Sequence, residues 1–153
     1  MKKLILLIIL ICTISILAMV QAQSNKTPDV IITTGTLNTD LVYKVSGRDG
    51  RLYQAYLGIK LRNINALNQI RDAGHLAYAT FGTDNLFEPA IRATHNDGNP
   101  SLELKYVSHQ TNKIDGNITI TKILLKDPEY PFEVTLNIKT FSDEDVIEQW
   151  AEI

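Results

Sequence analysis

Through most of the chain apolar and polar side chains alternate with a period of two, the spacing of a β-strand that turns one face to a core. Phe132–Phe141 shows it most cleanly: Phe132, Val134, Leu136 and Ile138 share one face, opposite Glu133, Thr135, Asn137 and Lys139. Leu102, Leu104 and Tyr106 stand against Glu103 and Lys105. In the stretch after Arg51, Tyr53, Ala55, Leu57, Ile59 and Leu61 form the expected apolar face, with Gln54 and Lys60 opposite. "DVIITT" and "LVYKVS" are shorter β-branched runs, and "ITITKILL" turns apolar on both faces at its far end, as a strand covered on both sides would. The final "VIEQWAEI" alternates as well, Val146, Glu148, Trp150 and Glu152 against Ile147, Gln149, Ala151 and Ile153.

Turn chemistry punctuates these runs. "GRDG", "NDGNP", "KIDGN", "KDPEYP" and "SDED" each combine residues that tolerate left-handed backbone angles or fix a turn by side-chain hydrogen bonds. A strand ending in Phe81 and another after Pro89 are expected around a polar loop. Between Asn63 and Gly74 the alternation fails, and Ile64, Leu67, Ile70 and Arg71 read equally as a short helix or an irregular loop. Short strands at nearly regular spacing with hairpin-type turns predict an all-β fold, an antiparallel β-sandwich.

The first residues stand outside that pattern. Lys2 and Lys3 precede an almost unbroken aliphatic run from Leu4 to Val20, and "VQA" ends at Ala22 with the small residues of a cleavage site. The expected organisation is a signal peptide over 1–22 and one β-domain over 23–153, exported to a periplasmic or extracellular location. A retained apolar anchor is the competing reading. Cys12 lies in the apolar run, so a processed chain has no cysteine and no disulfide. Loss of Lys2 and Lys3 from the 15 basic residues leaves 13 against 17 acidic ones, a net charge of −4. No basic run occurs, which argues against a nucleic-acid partner.

Candidate chemistry is sparse. His75, His95 and His109 have no metal-ligand spacing, and neither a metal nor another cofactor is expected. No serine sits in a G-x-S-x-G context. Asp143–Asp145 is the densest acidic cluster, but its turn position explains it without catalysis. Tyr43, Tyr53, Tyr56, Tyr106 and Trp150 are core or half-buried aromatics in a sandwich before they are sugar platforms. The residues alone therefore describe an exported β-domain, free-standing and binding carbohydrate or protein if it acts by itself.

Three segments in order, "LYQAYLG", "AYATFGTDNLFEPAIRATHNDGNPSLELKYVSH" and "LLKDPEYPFEVTLNIKTFSDEDVIEQWAEI", resemble the N-terminal domain of glycoside hydrolase family 36, the bacterial α-galactosidases. The resemblance implies an antiparallel β-supersandwich, of which this chain would be about the first half, ending before the family's (β/α)8 barrel. It also implies where the reaction lies. The family's retaining hydrolysis of terminal α-galactosyl residues uses two barrel aspartates, and no position here matches them. The expected function is that of a non-catalytic domain fragment that supports the barrel and subunit assembly. It would meet α-galactosides only through a barrel this chain lacks.

One loop of the family, reading roughly Gly-Asp-Phe-Arg-x-Pro, reaches a neighbouring subunit's sugar pocket. The matching stretch here is Asp84-Asn85-Leu86-Phe87-Glu88-Pro89, with the aspartate one place early and Phe87 in place of arginine. Asp84 and Asn85 are thus the substrate-binding candidates, and a turn held by local hydrogen bonds is the competing account. A final strand lacking its continuation is expected to be a self-associating sheet edge.

Overall fold

The computed structural model describes residues 27–63, 75–83 and 88–153. The signal-peptide segment, the stretch Ile64–Gly74 and the loop residues Asp84–Phe87 lie outside the described residues. Eight strands follow one another: β1 (Val30–Gly35), β2 (Thr39–Val45), β3 (Leu52–Ile59), β4 (His75–Leu76), β5 (Lys105–Lys113), β6 (Ile118–Lys126), β7 (Glu133–Phe141) and β8 (Val146–Glu152). They pair antiparallel in two four-stranded sheets, ordered β1-β2-β3-β4 and β5-β6-β7-β8. Each sheet is a meander, so every strand pairs with its neighbour in sequence. The described residues contain no helix, and the chain is all-β.

The alternation seen in the sequence is what joins the sheets. On β7 the side chains of Val134, Leu136 and Ile138 are buried. Their register partners on β6 are Leu125, Ile123 and Thr121, buried to the same degree. Against them pack Ile32, Leu41, Tyr43, Val45 and Leu52 of the first sheet and Leu102 and Leu104 of the connecting segment. Leu102 and Leu104 thus face the core as their spacing requires, although regular pairing begins only at Lys105.

The apolar face expected on β3 does not exist as one face. Val42 pairs with Tyr56 while Tyr43 pairs with Gln54, so Ala55 is an extra residue in a β-bulge. A bulge shifts register by one, and with a period of two that sends the following side chains to the other face. Tyr53 therefore lies across from Lys44, whereas Leu57 and Ile59 share the face of Leu41 and stand 54% and 83% exposed. The strands expected before Phe81 and after Pro89 reduce to a single parallel bridge between Thr80 and Ile91.

Turn side chains hold the meanders as the sequence pattern suggested. Asp115 Oδ1 accepts the backbone N–H groups of Asn117 (2.8 Å) and Ile118 (2.7 Å) at the β5–β6 turn. Gly98, at φ 84°, closes the NDGN turn by donating its N–H to His95 O at 2.9 Å. In SDED, Asp145 adopts a positive φ of 54° and accepts the Thr36 hydroxyl from the β1–β2 turn. That contact clasps the two sheets at one end. Leu37 N–H also donates to Ser142 O there, at 3.5 Å.

Candidate functional site

The loop carrying Asp84 and Asn85 leaves the sandwich at a corner whose stem is fully described. Ala90 N–H donates to Ala79 O at 2.8 Å and Phe81 N–H to Ile91 O at 3.1 Å, so the two stem segments run bonded to each other. Thr80 is buried and its hydroxyl donates to Leu102 O. Leu102 N–H returns a bond to Phe81 O at 3.0 Å, fixing the stem to the connecting segment. Asp84 and Asn85 themselves lie outside the described residues, so the structure places their anchorage and not their side chains.

Beside this stem lies a cleft of about 190 Å³ lined by Arg51, Thr83, Ser101, Glu103, Asp127 and Tyr130, among others. Three of its charged groups, Arg51, Glu103 and Asp127, are engaged. Asp127 is buried; its Oδ1 accepts the N–H groups of Glu129 (2.8 Å) and Tyr130 (3.0 Å), and its Oδ2 that of Glu103 (2.8 Å). Glu103 Oε1 receives Arg51 Nε at 3.1 Å and Nη2 at 2.9 Å. At the rim His95 stacks on Tyr130, ring centroids 3.5 Å apart and nearly coplanar at 4°. The Tyr130 hydroxyl donates to Asp97 and accepts from Asn99 Nδ2, both at 2.9 Å. The Asn99 backbone N–H and then the Tyr130 hydroxyl hold the Asp97 carboxyl below the usual aspartate range.

The other singled-out groups are dispersed. His75 opens β4, and His109 bonds the Tyr106 hydroxyl through Nδ1 at 2.7 Å on β5. Among the described residues no three His, Cys, Asp or Glu side chains converge as metal ligands. The acidic turn is tied down by hydrogen bonds: Asn117 accepts Asp143 N–H at 2.7 Å and donates to Glu144 at 2.8 Å, while Asp145 serves the sheet clasp. The Thr36 and then the Thr39 hydroxyl hold the Asp145 carboxyl below its ordinary range. Asn117 and Asp127 were not legible as latches, because each contacts a partner more than 20 residues away that no local pattern reveals.

Of the aromatics, Tyr43 belongs to the core, where burial pushes its hydroxyl up to about 12. That hydroxyl donates to Gln149 Oε1 at 2.7 Å, a side-chain bond from the core to the last strand. Trp150 points to the outer face of the second sheet, 39% exposed, its indole N–H bonded to Glu152 at 3.1 Å.

Two facing antiparallel meanders, with acids that close turns, define a β-sandwich domain. The sequence model of the glycosyl hydrolase family 36 N-terminal domain matches residues 50–153, and the chain belongs to that family. No curated protein matches it. Among solved structures, the alpha-galactosidase from Lactobacillus brevis superposes with a TM-score of 0.66 at 19% identity, over 82% of this chain and 21% of that one. The GH36 alpha-galactosidase AgaA from Geobacillus stearothermophilus gives 0.66 at 17% identity over 80% of this chain and 21% of its own. AgaB from the same organism gives 0.63 at 18% over 84% and 21%. At such identities the likeness is one of fold, and this chain spans about a fifth of the length of those enzymes.

Proposed function

We propose that this chain acts as a non-catalytic support domain of the α-galactosidase type, exported from the cell, which steadies a catalytic barrel and its assembly without reacting itself. The observation that carries the reading is the engagement of Asp127, Asp145 and Glu103. Asp127 closes a buried turn with three backbone N–H bonds, Asp145 clasps the sheets and Glu103 is paired to Arg51. A retaining glycosidase needs two carboxyl groups about 5–5.5 Å apart across a bond to be cleaved, free to act as nucleophile and acid. Membership of a family defined by an N-terminal domain supports the same role.

Within this reading Asp84 and Asn85, on a stem fixed by Ala79, Thr80 and Phe81, accept a hydroxyl of a sugar held by a neighbouring subunit. The test is direct. The purified chain is incubated with an aryl α-galactoside, and no turnover is expected. Turnover that copurifies with the chain and vanishes when one of its own acids is replaced would overturn the proposal.

A further inference from the structure

Asp-Gly pairs occur three times in the chain, at Asp49-Gly50, Asp97-Gly98 and Asp115-Gly116, each in a connection between extended segments. Glycine after aspartate opens the peptide nitrogen to the side-chain carboxyl, because no Cβ stands in the way of attack. The local hold on the carboxyl is alike in the three. Oδ1 accepts the N–H two residues on, from Arg51 at 3.0 Å, Asn99 at 2.9 Å and Asn117 at 2.8 Å. Asp97 and Asp115 are both exposed, as are the glycines that follow them.

What separates the pairs is the glycine N–H. Gly50 donates to Ser46 O at 2.8 Å and Gly98 to His95 O at 2.9 Å, each at a positive φ. Among the described residues the Gly116 N–H has no acceptor. The second carboxyl oxygen follows the same division. Asp49 Oδ2 accepts the Tyr53 hydroxyl and Asp97 Oδ2 that of Tyr130, both at 2.9 Å. Asp115 is bonded through Oδ1 alone among the described residues. An amide nitrogen tied to a carbonyl must break that bond before it can lose its proton and turn toward the carboxyl, so the bond protects its pair.

We propose that Asp115-Gly116 is a site of covalent self-modification, where Asp115 converts to isoaspartate while the hydrogen-bonded glycines keep Asp49 and Asp97 unmodified. The Gly116 nitrogen gives its proton to solvent and attacks Asp115 Cγ. A C–N bond forms and the carboxyl loses an oxygen as water, closing a five-membered succinimide. Water then adds at the former main-chain carbonyl and breaks its bond to nitrogen. The peptide link now runs through the side-chain carbon, the old main-chain carbonyl is a free carboxylate, and the water lost is balanced by the water gained. The relocated link takes Asp115 Oδ1 away from the N–H groups of Asn117 and Ile118. Asn117 also holds Asp143 and Glu144, so the change loosens the β5–β6 and β7–β8 turns together. The inference rests on these local bonds and is independent of the supporting role proposed above.

Ageing the purified chain in warm neutral buffer, then mapping its peptides with isoaspartate methyltransferase labelling, tests it. Asp115 should accumulate isoaspartate at least about fivefold faster than Asp49 or Asp97, the factor that one hydrogen bond of ordinary net strength represents. In urea, where all three glycine amides are released, the rates should converge to within about twofold. Gly116→Ala places a methyl where nothing lies within 4 Å, at a φ outside the left-handed region, so the fold persists. That variant should slow the modification at residue 115 about tenfold and leave the other two sites unchanged. Equal rates at the three sites of the folded chain, a faster reaction at Asp49 or Asp97, or no isoaspartate at residue 115 would overturn the proposal.

Discussion

β7 and β8 are adjacent strands of one sheet with the same alternating sequence pattern, and they have opposite fates. On β7, Val134, Leu136, Asn137, Ile138 and Thr140 are buried, and the strand has a hydrogen-bonded neighbour on each side. On β8 every residue except Ile147 is exposed, and one side has no neighbour among the described residues. Alternation therefore decides which side chains share a face. How deeply that face is buried is decided by what the topology places on it. The same lesson holds in the first sheet, where β2 is buried from Asp40 to Val45 between two partners, while Leu57 and Ile59 of β3 stand exposed beyond the bulge.

The comparison breaks most visibly under substitution. Ile138→Ala in β7, at a side chain 1% exposed, should cost about 3–4 kcal/mol by removing apolar contacts and leaving a cavity. Val146→Ala in β8, at 49% exposed, should cost about 0.5 kcal/mol or less. Urea unfolding of both variants measures the contrast, and equal losses would mean that β8 is packed as firmly as β7.

Next in size is Asp127→Ala, which leaves the N–H groups of Glu103, Glu129 and Tyr130 without their acceptor in a buried turn. A loss of about 2–3 kcal/mol is expected from orphaned donors of this kind, read as a lower urea midpoint. A midpoint unchanged from the parent chain would show that the turn before β7 holds without it.

The acid response is smaller and is set by the exposed turn carboxylates. Asp145 is held low by the Thr36 and Thr39 hydroxyls, Asp115 by the N–H groups of Asn117 and Ile118, and Asp97 by the Asn99 N–H and Tyr130 hydroxyl. A carboxyl whose folded value is depressed contributes stability above its unfolded value, about 3.9, and loses it as pH falls through the folded value. Thermal melting should therefore be flat from neutral pH to about 4 and decline below it. In Asp145→Asn the decline should be shallower, because one of the titrating groups is gone. An identical acid profile in that variant would remove the sheet clasp from the account.

Much of this fold was legible because the strands carry their own face pattern. Val134, Leu136 and Ile138 needed only their spacing to be placed in the core. The bulge at Ala55 was not legible, since a single extra residue leaves no mark in composition and reverses every assignment after it. Phe81 and Pro89 sit in a loop stem held by isolated backbone bonds, which an apolar run resembles when read alone. The candidate site was read only as far as its scaffold. Asp84 and Asn85 were found by resemblance to a family loop, and the polar cleft beside them depends on Asp127 and Arg51, brought together from separate turns.

Hydrogen exchange of the β7 and β8 amides tests the central contrast most directly. The account predicts slow exchange throughout Val134–Thr140. In Val146–Glu152 it predicts alternating behaviour: slow for amides bonded to β7 and fast for those facing away. Uniform protection of both strands would contradict it, because β8 would then be paired and covered as firmly as β7.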